Sequence, residues 1–192
     1  MNALKKLSFC ALLSLGLFAQ TVHAESLKDI TDYPSWLKVN FFKHDHYLNQ
    51  YIGSASIVKE KDDFYSNYIL YDDKLPPEKN AEKIALLRAK MNAYSSLESV
   101  LITKMHNRIV KVLQAKNDAI NDLFGLVDFL VSKSILAKRF VDTINHRVYV
   151  MVQFPLIQSE DLIAYFKAKR INLSSTSATN LSALLNKALF HI

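Results

Sequence analysis

EKNAEKIALLRAKMNAYSSLESVLITKMHNRIVKVLQAKNDAINDLF, from Glu78 to Phe124, contains neither glycine nor proline. Glycine loses the most backbone freedom on folding and proline removes an amide donor, so a stretch without either favours a helix of unusual length. Pro76 and Pro77 stand just upstream, where proline ends an extended segment and suits a first helical turn. Ile84, Leu87, Met91, Tyr94, Leu101, Met105, Ile109 and Val112 recur at steps of three, four or their sum, which predicts one apolar stripe. Wound continuously, this rod would approach ~50 Å. Asn117, Asp118 and Asn121 are poor helix-interior residues, and a break is predicted there.

Working outward, Gly125 is predicted to open a short second helix through LVDFLVSK, residues 126–133. HRVYVMVQF, residues 146–154, carries the clearest strand signal. Val148, Val150, Val152 and Phe154 alternate with Arg147, Tyr149, Met151 and Gln153, so both faces have apolar members. AKRFVDTI, residues 137–144, reads as its partner, with Asn145-His146 as a short reversal between them. Pro155 stops the hairpin. SEDLIAYFKAKR, residues 159–170, has Ser159 as N-cap, acids in its first turn and bases in its last. NLSALLNKALFHI, residues 180–192, is the final helix. Before the rod, YLNQYIGSAS, residues 47–56, is a strand in which Gly53 lets another backbone come close. The sum predicts an α+β fold, a small antiparallel sheet packed on a long helix, with a C-terminal helix pair.

Met1 to Ala24 has the parts of a secretory signal: Lys5 and Lys6, an apolar run from Leu7 to Ala19, and Val22-His23-Ala24 as a small-x-small exit. Cys10 is the chain's single cysteine. Phe9 directly precedes it and the apolar run continues past it, so it reads as a leader residue and not as a lipid anchor. An uncleaved membrane anchor is the alternative, but the run is shorter than the roughly 18 residues a span requires. The expected organisation is a signal peptide over residues 1–24, a sheet-and-long-helix domain over 25–155 and a helical extension over 156–192. No transmembrane segment is expected after the leader, and no disulfide. Loss of Lys5 and Lys6 with the leader would lower the formal net charge from +6 to +4, which is mildly basic and suits an acidic partner without demanding one.

Several of these stretches, in this order, resemble a known bacterial family. YPSWL, residues 33–37, is similar to the Pro-x-Trp-apolar entry of the family of a twenty-kilodalton membrane-associated lipoprotein. YIGSAS resembles its first strand, AEKIALLRAKMNAYSSL its alanine- and arginine-bearing helix, and LAKRFVDTINHRVYVMVQF its closing hairpin. The helix pair SEDLIAYFKAKRINLSSTSATNLSALLNKAL is similar to that of the family's secreted branch, the tumour necrosis factor-α-inducing proteins (Tip-alpha). The resemblance implies a dodecin-like domain, a homodimer, a surface or extracellular location, and contact with host cells instead of catalysis. It also implies a host-cell surface protein or nucleic acid as partner. This chain departs in two ways: it has no cysteine after Cys10, where the secreted branch uses cysteines in its dimer, and the aromatic segment Asp62 to Asp73 has no evident counterpart.

The candidate sites have plain readings beside functional ones. His44-Asp45-His46 could put two imidazoles on one side of a strand for zinc or nickel, but no second ligand cluster accompanies it, and a solvated turn is favoured. Lys83, Lys90, Lys104, Arg108 and Lys111 fall within a sector of roughly 80° on a continuous helix. They form either an acidic-partner or nucleic-acid surface or an ordinary solvated flank. Glu98 interrupts the apolar stripe and marks a helix bend, a partner cation or a dimer seam; catalysis is the least favoured reading. Asp72-Asp73 and Asp62-Asp63 read as solubility guards. Tyr65, Tyr68, Tyr71 and Trp36 are candidate interface residues. Alternatively the tyrosines cover their own core and Trp36 docks the N-terminal segment. No Gly-x-Ser-x-Gly, phosphate loop or His-Glu-x-x-His string is present, so neither an enzyme nor a cofactor is expected. The expectation is a secreted, non-enzymatic, virulence-type protein that binds host-cell surfaces. A periplasmic or envelope-associated structural protein is the alternative.

Overall fold

The computed structural model describes residues 33–37, 49–58, 71–113 and 123–190. The chain divides into two compact units, residues 1–46 and 47–192. In the first, a short helical turn at 35–37 is closed by Leu37 N–H donating to Pro34 O at 2.9 Å, with Leu37 buried and Trp36 half-buried. The second carries β1 (Gln50–Ser56), α1 (Pro77–Glu98), a π-helical segment (Ser99–Lys104) and α2 (His106–Val112). These are followed by α3 (Leu123–Lys133), β2 (Ile135–Asp142), β3 (Arg147–Gln153), α4 (Ser159–Ala168) and α5 (Ser175–Phe190). The fold is α+β. A three-stranded antiparallel sheet in the order β1-β3-β2 packs on the long helix α1, and α4 and α5 pack together as a C-terminal pair.

β3 is central because both of its faces are apolar. Val148, Val150 and Val152 face α1 and are fully buried, while Tyr149 and Met151 on the reverse face are buried too. Its β2 partner starts at Ile135, two residues before the expected stretch, and has a bulge between Leu136 and Lys138. The reversal is a four-residue turn over 143–146 instead of Asn145-His146 alone. The buried Asp142 sets it: Oδ1 accepts from Ile144 N at 3.0 Å and Asn145 N at 2.9 Å, and Oδ2 accepts from Asn145 Nδ2 at 2.8 Å. His146 closes the turn at φ 51°, a left-handed angle that short polar and imidazole side chains tolerate better than branched ones.

Gly53 does bring two backbones together. A Cβ there would lie 2.0 Å from Ala85 O and 2.4 Å from Ala89 N. Ala81, Ala85 and Ala89, four residues apart and buried, form the face of α1 that meets the sheet. Of the expected stripe, Ile84, Tyr94, Leu101, Met105 and Ile109 are buried while Leu87, Met91 and Val112 are half-buried, and the stripe left out this alanine row. An alanine row buries less area than leucines would, and its advantage is close approach, which multiplies dispersion contacts.

α1 also guards an edge of the sheet. Asn49 O accepts from Phe154 N, so the odd-numbered residues of β1 aim their backbone groups at β3 and the even-numbered ones aim outward. Two of those outward carbonyls are taken: Arg88 Nη1 donates to Ser54 O at 2.8 Å and Asn92 Nδ2 to Ile52 O at 2.9 Å.

The rod is not continuous. At Ser99 the winding changes to π, and Met105 N–H donates to Val100 O, five residues back, at 2.9 Å. Met105, at φ −110° and ψ −5°, then bends the chain into α2. The ~50 Å helix is thus replaced by an α1 of 22 residues, about 33 Å, and a break at 99–105. The break expected at Asn117 to Asn121 lies outside the described residues. Val100, Ile102 and Thr103 supply the physical reason, because branched side chains crowd the preceding turn of an α-helix. Glu98 is the last residue of α1 and half-buried, directly before the π segment.

The remaining helices cover this bend. α3 contains Gly125 instead of starting at it, and packs on α1 and the π segment, while α2 packs on α5. Gln158, not Ser159, occupies the N-cap of α4, although Glu160, Asp161 and Lys167 sit where its dipole favours them. α3 and α4 are tied by the Lys133 Nζ–Asp161 Oδ1 pair at 2.6 Å and by the Phe129 and Tyr165 rings, whose centroids are 4.6 Å apart.

Candidate functional site

Leu101, Met105, Ile109 and Leu113, four residues apart and all buried, mark the inward side of the π segment and α2. That row continues through the bend, which fixes the opposite side. Thr103, Lys104, Asn107, Arg108 and Lys111 are the exposed residues there, three cations and two neutral polar groups without a carboxylate among them. Arg108 and Lys111, three apart on α2, are surface neighbours. None of the three cations has an ion-pair or hydrogen-bond partner among the described residues.

Three cations elsewhere are ion-paired. Lys79 pairs with Glu82 at 3.0 Å, Lys133 with Asp161, and Arg139 with both Glu78 and Glu82, the latter at 2.9 Å. Burial pushes the Glu82 carboxyl up, but hydrogen bonds and charge from Lys79 and Arg139 outweigh it and hold the group below its ordinary value. The hydrogen bond to Glu78, opposed by some desolvation and aided by Glu82, raises Arg139. This knot ties β2 to the start of α1. Sequence reasoning missed it, although Glu78 and Glu82, four apart, signal two acids on one helical face.

The five expected cations do not act as one stripe. A π turn holds more residues than an α turn, so a constant step per residue does not carry through Ser99–Lys104. Lys83 and Lys90 belong to α1, and Lys90 lies about 21 Å along the axis from Lys104 if each residue rises ~1.5 Å. Exposed charges at that separation are screened from each other, the Debye length being ~8–10 Å at physiological salt. Lys104, Arg108 and Lys111 make the compact group.

Of the candidate interface residues, Tyr65 and Tyr68 lie outside the described residues, as do His44, His46 and Asp62-Asp63. Tyr71 is half-buried at the head of the turn before α1, and Trp36 is half-buried in the first unit. Asp72 has a structural task beyond guarding solubility. Its N–H donates to Asn80 Oδ1 at 3.0 Å, its carbonyl accepts from Asn80 Nδ2 at 2.9 Å, and its Oδ1 accepts from Lys74 N at 3.0 Å. The fully buried Asn80 thereby moulds the approach to α1. Tyr51 packs edge-on against Phe154, ring centroids 5.9 Å apart. Burial pushes its phenol up, with Ser96 pulling weakly the other way. The two hydroxyls do not meet as a hydrogen bond, and Tyr51 Oη is buried without a partner among the described residues.

Among the described residues no group of three or more His, Cys, Asp or Glu comes together as a metal site, and no helix is long and apolar enough to cross a membrane. The single cysteine excludes a disulfide within the chain. No protein-family model matches the chain, and a search of curated proteins finds no match.

Proposed function

We propose that this is an exported, non-enzymatic binding protein that engages host-cell surface components, similar in role to Tip-alpha. The observation that carries this reading is the exposed group Lys104, Arg108 and Lys111, three cations on one side of the π segment and α2 with no carboxylate among the exposed residues there and no ion-pair partner among the described residues. Unbalanced surface charge draws an oppositely charged partner and speeds its encounter. The secretory-type leader through Ala24 supports export, with cleavage there releasing the chain. The order of sheet, long helix and closing helix pair is the one the resemblance implies, and a homodimer without a disulfide belongs to the same reading.

Fractionation of growing cultures tests it. The reading expects the protein in the medium without lysis markers, shortened after Ala24, with a solution mass twice that of one chain, and binding to intact host cells. Retention with the envelope and no cell binding would favour the alternative, a structural or assembly protein of the envelope.

A further inference from the structure

Resting on that reading, we infer that the strip Thr103, Lys104, Asn107, Arg108 and Lys111 binds a sulfated polysaccharide of the host-cell surface. A linear chain of sulfate groups needs a row of cations whose side chains reach outward and are not already satisfied. Here the row follows one exposed side for eight successive positions, with the buried row Leu101, Met105, Ile109 and Leu113 behind it. Arg108 presents several donors in a fork suited to an oxyanion, and Lys104 and Lys111 add point charges on either side. Thr103 beside Lys104, and Asn107 between Lys104 and Arg108, offer neutral hydrogen-bonding groups, as a sugar's hydroxyls require.

The same strip argues against other polyanions. Single-stranded nucleic acid is held by aromatic rings stacked on its bases, and no aromatic residue stands among these five. A lipid surface is held by apolar side chains that enter it beside the cations, and here the apolar row is turned inward and buried. The exposed residues of this segment are charged or neutral polar, the chemistry of a sulfated sugar chain.

The test measures binding of the purified protein to heparin, to chemically desulfated heparin, to single-stranded DNA of matched charge and to anionic phosphatidylserine vesicles. Heparin is expected to bind best, with affinity falling as salt rises. The triple substitution Lys104→Gln, Arg108→Gln, Lys111→Gln is expected to reduce the slope of log affinity against log salt by about 3, one per lost contact. Lys83→Gln with Lys90→Gln should leave heparin binding within about twofold, and unchanged melting temperatures confirm that both variants fold. Equal heparin binding by the triple variant, or binding of DNA or vesicles as tight as heparin, overturns the inference. Enzymatic removal of sulfated glycans from host cells separates the two levels. Binding that persists on stripped cells overturns the glycan assignment and leaves surface binding standing, whereas absence of binding to untreated cells overturns surface binding itself.

Discussion

Asn186 grips the backbone of Ile157 from both sides: Ile157 N–H donates to Asn186 Oδ1 at 2.9 Å, and Asn186 Nδ2 donates to Ile157 O at 2.9 Å. The amide imitates a neighbouring strand, and Ser182 Oγ adds a third bond to the same carbonyl. In this way α5 pins the segment that leaves β3, so the closing helices are fastened to the sheet. Ile157 is buried, so its N–H has no water to turn to if the side chain is shortened. Asn186→Ala is expected to cost about 1–3 kcal/mol, read as a lower urea midpoint at constant slope. Asn186→Asp keeps the acceptor but sets a carboxylate oxygen against the Ile157 carbonyl, so it should not recover the loss.

Gly53→Ala tests the contact between β1 and α1. The added carbon would meet Ala85 O and Ala89 N, both backbone atoms of a helix, which no rotamer change can move. Destabilisation of roughly 3 kcal/mol or more is expected, above the usual range for overpacking by one methyl. A loss below about 1 kcal/mol would mean that the helix lifts from the strand at little cost.

Arg170 follows α4 at φ 62°, with Ile171 N–H donating to Phe166 O and Arg170 N–H to Lys167 O, both at 2.9 Å. This is the helix ending in which glycine is most at ease. Arg170→Gly should stabilise by about 1 kcal/mol, because a side chain with a Cβ costs ~1–2 kcal/mol at such an angle while glycine gives back some of that in unfolded-state freedom. A melting temperature higher by roughly 2–4 °C is expected for a chain of this size.

Acid should weaken the junction of β2 with α1. The carboxyl of Glu82 has a folded value below its unfolded one, so the unfolded state takes up its proton first. Its contribution is therefore complete above about pH 4.3, the ordinary glutamate value, and is lost as pH falls through the lower folded value. Glu82→Gln should flatten the decline of stability in that acidic window and lower stability near neutrality. Urea midpoints measured from pH 7 down to pH 3 on both proteins would show it, and parallel curves would contradict it.

The sheet was readable because valines at alternate positions of β3 leave no other period, and because Pro76 and Pro77 announce the start of α1. The alanine face was not, since small residues fail to stand out as a stripe although they allow the closest packing. The π turn was hidden for a different reason. Val100, Ile102 and Thr103 lower helix preference only slightly each, and nothing in a spacing count registers an altered winding. That change alters the angular step between Lys90 and Lys104, and axial distance alone already sets Lys83 and Lys90 apart from the three cations beyond it. The knot of Glu78, Glu82 and Arg139 joins residues far apart in sequence, and only the pairing of β2 with β3 brings them together.

With Arg88 and Asn92 occupying the outward carbonyls of Ser54 and Ile52, the three strands have unequal flanks. Lateral growth from β1 is obstructed, and among the described residues the β2 side, where Ile135 and Leu136 are exposed, is the margin that another strand could join. Two molecules meeting along that margin would turn their obstructed flanks outward. Growth would stop at a pair, and an endless ribbon of such sheets would have no way to propagate.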